Sequence, residues 1–200
     1  RQTANSANVS AVTSLSTSGL SLVNGSGLAN NYVLPATTTN ISITPKVISA
    51  SLTNQTKVYD TTTSAALTAG SDSSGGSFVL SGFIAGEGAY ITQTNGSYNS
   101  ANVASANTVT AIIGSNYVAK SNTILTNYVL PTTANGNGVI TAAPLLMTAN
   151  DVTTYVNVTP NLSYRLDGLL GADTATTAIT GATISFSNAL LNTAMVTPQA

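Results

Sequence analysis

Apolar positions along this chain fall in short runs that alternate with polar ones. Thr108–Ile113 is the clearest: Val109, Ala111 and Ile113 take one face, Thr108 and Thr110 the other. Val47–Leu52 puts Ile48, Ala50 and Leu52 on one face, and Asn40–Thr44 does the same with Ile41 and Ile43. Further strands are predicted at Phe78–Leu80, Ala89–Thr92, Val139–Thr141, Leu145–Thr148, around Leu162, Tyr164 and Leu166, and at Thr183–Ser187. Ser10–Leu22 alternates weakly through Val12, Leu15 and Leu20. Turn residues punctuate the runs: Asn24-Gly25, Gly70–Gly76, Ser81-Gly82-Phe83, Ala85–Gly88, Asp167-Gly168 and Gly171-Ala172-Asp173. Asn95-Gly96 reads as the strongest hairpin signal. Short strands with turns every roughly 8–12 residues predict a sandwich or small barrel.

The pattern repeats. Asn31-Tyr32-Val33-Leu34-Pro35 returns as Asn127-Tyr128-Val129-Leu130-Pro131, 96 positions later. Asn5-Ser6-Ala7-Asn8-Val9 returns as Asn99-Ser100-Ala101-Asn102-Val103, 94 positions later. Ile43-Thr44-Pro45 lines up with Ile140-Thr141 and Pro144. A period of about 95 residues is the size of a domain. A parallel β-helix would repeat near every 20 residues, and no such period is visible. The expected organisation is all-β, in tandem sandwich-like (Ig-like) repeat domains, with a β-grasp-like unit as the alternative. Residues 1–45 read as the C-terminal half of one repeat and 46–142 as a complete repeat. Residues 143–200 read as the N-terminal part of a related one. The 200-residue sequence is on this reading a piece of something longer.

Composition sharpens the class. Roughly two residues in five are Ser, Thr or Asn, while charged residues are 6% and the net charge is −1. With 42% apolar residues a packed core is expected. Thr, Val, Ile and Tyr suit pleated sheet, and the straight-chain helix formers are scarce. The chain has no Cys, His or Trp. The commonest general base, the thiolate nucleophile and the usual soft metal ligands are therefore missing. Arg1, Lys46, Lys57, Lys120 and Arg165 are scattered, so no nucleic-acid surface is expected. No apolar run reaches membrane-spanning length, so direct membrane insertion is not expected.

Lys57-Val58-Tyr59-Asp60-Thr61-Thr62 resembles the Lys-x-Tyr-Asp-Gly-Thr-Thr signature of YDG repeats. Leu80-Ser81-Gly82-Phe83, Gly86-Glu87, Gly96-Ser97-Tyr98, Asn102-Val103 and Asn116-Tyr117 follow in the matching order across 46–142. Thr61 stands where the signature has glycine, so the residue must either adopt a positive φ or the turn must differ. Residues 146–200 resemble the companion MBG repeat, through Asp151, Tyr155, Pro160–Tyr164 and Asp167-Gly168-Leu169. The resemblance implies a stalk or spacer module of a secreted, filamentous-haemagglutinin-like bacterial adhesin, at the cell surface. It brings no catalytic residue and no cofactor.

The fold-defining residues expected are Lys57, Tyr59, Asp60, Thr61, Asn127, Tyr128, Pro131, Tyr155, Asp167 and Gly168. Tyr59 and Tyr155 are expected buried, and Asp60 is expected to fix a turn. Asp167 and Asp173 form a weak calcium candidate without the full loop pattern. A lysine–asparagine cross-link would need Lys46, Lys57 or Lys120 buried beside an asparagine and an acid. No reaction is expected. The partners expected are neighbouring repeats or subunits, joined by strand complementation at exposed edges. The alternative is a module that binds surface glycans, which would need exposed aromatics such as Tyr90, Tyr98 and Tyr117.

Overall fold

The alternation at Thr108–Ile113 becomes the strand Thr108–Ile112, and Val109, Ala111 and Ile113 are sealed from solvent. The same logic holds across the chain in the computed structural model, which is all-β. The structure describes residues 3–9, 11–13, 15–16, 21–34, 37–38, 41–155, 158–178, 183–186 and 194–197. Leu20, Pro35, Asn40 and Ser187 of the expected strands lie outside them, as do the side chains of Leu15, Ile184 and Phe186. Among the described residues there is one α-helical turn, Ala175–Ala178, and no helix is long and apolar enough to cross a membrane.

The largest sheet runs in the order Ser64–Ala66, Asn95–Tyr98, Thr108–Ile112, Thr133–Thr141, Ser49–Leu52, Phe78–Ser81. Gln55–Val58 also pairs with Thr133–Thr141. Ser49–Leu52 lies antiparallel to Phe78–Ser81, with Ser49 opposite Ser81 and Leu52 opposite Phe78. It lies parallel to Thr133–Thr141, with Ser51 opposite Asn135. A second parallel pair sets Tyr128 and Val129 against Lys46 and Val47.

By their contacts the residues divide into two units. The first comprises Arg1–Gln55, Ala65–Ser97 and Val109–Asn137. Its core holds Ile48, Leu52, Phe78, Ile91, Val109 and Ile113. The second comprises Thr56–Ser64, Tyr98–Thr108 and Gly138–Ala200, with Tyr98 and Ile140 buried. It also holds the antiparallel hairpin Leu146–Ala149 with Tyr164–Asp167.

Two expectations fail for stated reasons. Asn95-Gly96 is no hairpin turn but the start of the strand Asn95–Tyr98. A Cβ at Gly96 would stand 3.1 Å from Leu67 Cδ1 and 3.2 Å from Val109 Cγ1. The glycine admits neighbouring side chains, which a hairpin motif cannot reveal. Thr133-Ala134-Asn135-Gly136-Asn137-Gly138, poor in strand formers, opens the longest strand of the described residues, Thr133–Thr141. Tertiary pairing on both sides overrides propensity there.

Candidate functional site

The signature segment closes on itself. Asp60 Oδ1 accepts from Thr62 N–H at 2.9 Å and from Thr62 Oγ1 at 2.9 Å, an Asx-type turn. Lys57 Nζ donates to Asp60 Oδ1 at 2.7 Å, and to Thr62 O and Oγ1 and Ser64 O at 2.7, 3.0 and 3.0 Å. It also lies 5.3 Å from the centre of the Tyr98 ring. The ammonium bond, followed by the Thr62 donors, holds the Asp60 carboxyl down to about 2. All these acceptors are fixed protein oxygens with no asparagine among them. The expected chemistry of a lysine–asparagine cross-link is therefore absent at Lys57, whose role is to tie the loop. Lys120 Nζ instead donates to the Asp72 backbone carbonyl at 2.7 Å.

Thr61 adopts φ +68°. The left-handed conformation has been kept although glycine has not, and a β-branched residue is strained there. Thr61→Gly is expected to raise stability by about 0.5–1 kcal/mol, the relief of strain less the greater freedom of unfolded glycine. Urea denaturation checks this; an unchanged or lowered midpoint contradicts it.

The remaining signature residues separate. The Tyr59 hydroxyl donates to Asp173 Oδ2 at 3.0 Å, and this bond, then burial, raises the tyrosine above its ordinary value. Tyr59 is half-buried rather than buried. Asp167 pairs with Arg165 at 2.8 Å, both exposed. Among the described residues no cluster of three acids could hold a metal. Gly168 has φ +105°, and a Cβ there would stand 2.6 Å from Pro144 O. Tyr155 corrects its expectation: it is 87% exposed, because its segment lies outside any strand and no sheet covers it. Pro131 O accepts the Tyr117 hydroxyl at 2.9 Å. Tyr128 is buried, its ring 4.7 Å from that of Phe83 and its hydroxyl 2.6 Å from Glu87 Oε2. Asn127 is an anchor: its Nδ2 donates to Asn8 Oδ1 at 2.8 Å and its Oδ1 accepts Val9 N–H at 2.9 Å. Sequence reasoning missed Asn8, Glu87 and Asp173 as partners. The signal was there for Asn8, in the recurrence of Asn-Ser-Ala-Asn-Val.

That recurrence is reproduced in hydrogen bonds. Asn5 Oδ1 accepts Thr13 N–H, as Asn99 Oδ1 accepts Asn107 N–H. Ser6 Oγ accepts Asn8 N–H, as Ser100 Oγ accepts Asn102 N–H. Asn8 O accepts Ala11 and Val12, as Asn102 O accepts Ser105 and Ala106.

A cleft of about 310 Å³ in the second unit is lined by Tyr59, Asn102, Val103, Leu145, Leu169 and Asp173, among others. Its few polar groups are one phenol, one amide and one carboxylate. Nothing in it pairs a nucleophile with a base. Of the aromatics that a glycan platform would need, Tyr98 is buried and Tyr90 and Tyr117 are half-buried.

The titration of the fold follows. Asp60 lies below its ordinary 3.8, so its contribution is complete above that value and is lost as pH falls toward about 2. Tyr59, Tyr98, Tyr117 and Tyr128 lie above their ordinary 10.0, Tyr59 chiefly through its Asp173 bond and the others chiefly through burial. Their contribution is complete below 10.0 and is lost as pH rises through the folded values. With no His or Cys, no side chain titrates in between. The urea midpoint is expected to stay level from about pH 5 to pH 9 and to fall on both sides. A slope inside that window contradicts the assignment.

Fold and site together define a β-protein whose signature residues bind its own backbone. Comparison with known families agrees in part: a YDG domain is found at residues 44–135. No curated protein and no solved structure matches the chain.

Proposed function

We propose that this chain is a structural spacer, a run of sandwich-like β-domains in the stalk of a secreted bacterial surface adhesin or extracellular filament. On this reading residues 1–45 belong to a preceding YDG-type repeat and 143–200 to an MBG-type one. One observation carries it: the signature side chains Lys57, Asp60 and Thr62 are bonded to one another and to loop carbonyls, not turned toward a cleft. A module that must only hold shape needs that arrangement; one that binds or reacts needs convergent free groups. The duplicated loop bonds at Asn5–Thr13 and Asn99–Asn107 support repetition of one building pattern.

The test is small-angle scattering on a polypeptide carrying several such units in series. A rod whose length grows in proportion to unit number is expected. A compact particle, or specific retention on a glycan array, would overturn the reading.

A further inference from the structure

The structure contains two related clefts, and one of them shows what the other lacks. In the first unit a cleft of about 180 Å³ is bounded by Val9, Lys46, Ile84 and Glu87, with Asn127 and Tyr128 as one wall. In the second unit the cleft of about 310 Å³ is bounded by Val103, Leu145, Leu170 and Asp173. Val103 repeats Val9. The segment Leu166–Asp173 repeats Leu80–Glu87 in backbone as well as position. Gly82 has φ +107° and Gly168 +105°. Glu87 N–H donates to Ile84 O at 3.1 Å, and Asp173 N–H donates to Leu170 O at 3.1 Å. The preceding strands match too, since Ser49–Leu52 with Phe78–Ser81 and Leu146–Ala149 with Tyr164–Asp167 are both antiparallel hairpins. Leu169 thus stands where Phe83 supports Tyr128, and Asp173 where Glu87 accepts its hydroxyl.

The second cleft has no counterpart of the Asn127–Tyr128 wall. Asn102 and Val103, which repeat the acceptor and donor that grip Asn127, have no such partner among the described residues: the Asn102 side chain and the Val103 N–H make no hydrogen bond there. The missing piece exists elsewhere in the sequence. Asn31 closes the 3₁₀ turn Ala29–Asn31 as Asn127 closes Leu125–Asn127. Tyr32 has φ −131°, ψ 152°, and Tyr128 φ −129°, ψ 149°. Yet Tyr32 is 66% exposed and Val33 93%, where Tyr128 is 7% exposed. Asn31 carries no side-chain hydrogen bond among the described residues.

We infer that the cleft at Asn102, Leu169 and Asp173 receives Asn31 and Tyr32 of a second copy of this chain. The incoming Asn31 amide donates to Asn102 Oδ1 and accepts Val103 N–H. The Tyr32 ring lies on Leu169, and its hydroxyl donates to the Asp173 oxygen that Tyr59 leaves open. Val33 continues along Ala143–Leu145 as Val129 lies along Lys46–Val47. Donor and acceptor surfaces are different patches, so the contact is head-to-tail and does not close on itself. This deepens the spacer reading and rests on it.

Sedimentation velocity on the full chain tests it. The wild type is expected to form a ladder of oligomers that lengthens with concentration. Tyr32→Ser removes the plug at an exposed position, and Leu169→Glu or Asn102→Ala spoils the socket; each alone is expected to give monomer. An equimolar mixture of Tyr32→Ser and Leu169→Glu chains is expected to stop at dimers, since one intact plug meets one intact socket. A wild type that stays monomeric at all concentrations overturns the docking, while leaving the scattering test of the spacer unaffected. Oligomers that persist unchanged in Tyr32→Ser or Asn102→Ala chains overturn it as well.

Discussion

Gly136→Ala is expected to cost about 2–3 kcal/mol, the largest loss from adding one methyl group anywhere in the main sheet. The new Cβ would stand 2.6 Å from Leu52 Cβ and 2.6 Å from Leu52 O. Real Cβ atoms do not approach that closely, so something must move. Leu52 cannot give way cheaply. It is buried, and its strand is held on its other side by Phe78–Ser81. The next residue is pinned by Thr53 N–H to Ser77 O at 2.9 Å. The usual gain from replacing a strand glycine, about 0.5–1 kcal/mol through the unfolded state, offsets only part of this. Gly96→Ala is the control. Its Cβ would meet the flexible Leu67 Cδ1 at 3.1 Å, so the expected loss is about 1 kcal/mol. Urea denaturation with an unchanged m-value reads both. Equal stability of Gly136→Ala and wild type would refute the close packing of these parallel strands.

Lys57→Met is expected to cost about 2–3 kcal/mol. The Lys57 side chain is only 16% exposed, so water does not readily replace the ammonium. Its loss would leave the Thr62 and Ser64 carbonyls, and the inner oxygen of Asp60, without their donor. Methionine keeps most of the packing over Tyr98 and so isolates the charge. The Asp60 carboxyl is then expected to rise toward its ordinary value, so the acid limb of the stability profile moves to higher pH. Lys57→Met combined with Asp60→Asn should cost less than the two changes added together, because they share one contact. Strict additivity would mean that the pair is not coupled. Lys57→Arg is not a rescue: a planar fork does not fit acceptors arrayed around a single ammonium.

The alternating segments were readable because burial on one face of a strand writes itself into every second residue. Val109, Ala111 and Ile113, or Ile48 and Leu52, needed no further information. Asp60 was readable as a turn residue for a similar reason, since its partners lie two and three residues away. Asn95-Gly96 and Gly136 were misread or passed over. A glycine chosen for a close approach by a distant strand looks in sequence like a glycine chosen for a turn. Tyr155 was misread because a tyrosine carries no local mark of whether a sheet will cover it. Asp173 was read as a turn residue, and the hydroxyl of Tyr59, 114 positions away, could not be foreseen.

The sequence by itself determined the β-class, the positions of most strands, the period and the absence of His and Cys chemistry, because these depend on local pattern and residue type. Tertiary structure decided which copy of a repeated residue has a partner. Tyr32 and Tyr128 share one motif and one backbone conformation, yet one is exposed and the other packs against Phe83 and Glu87. The difference lies in what the rest of the chain brings alongside, and side-chain energetics are set by that neighbourhood, not by the motif.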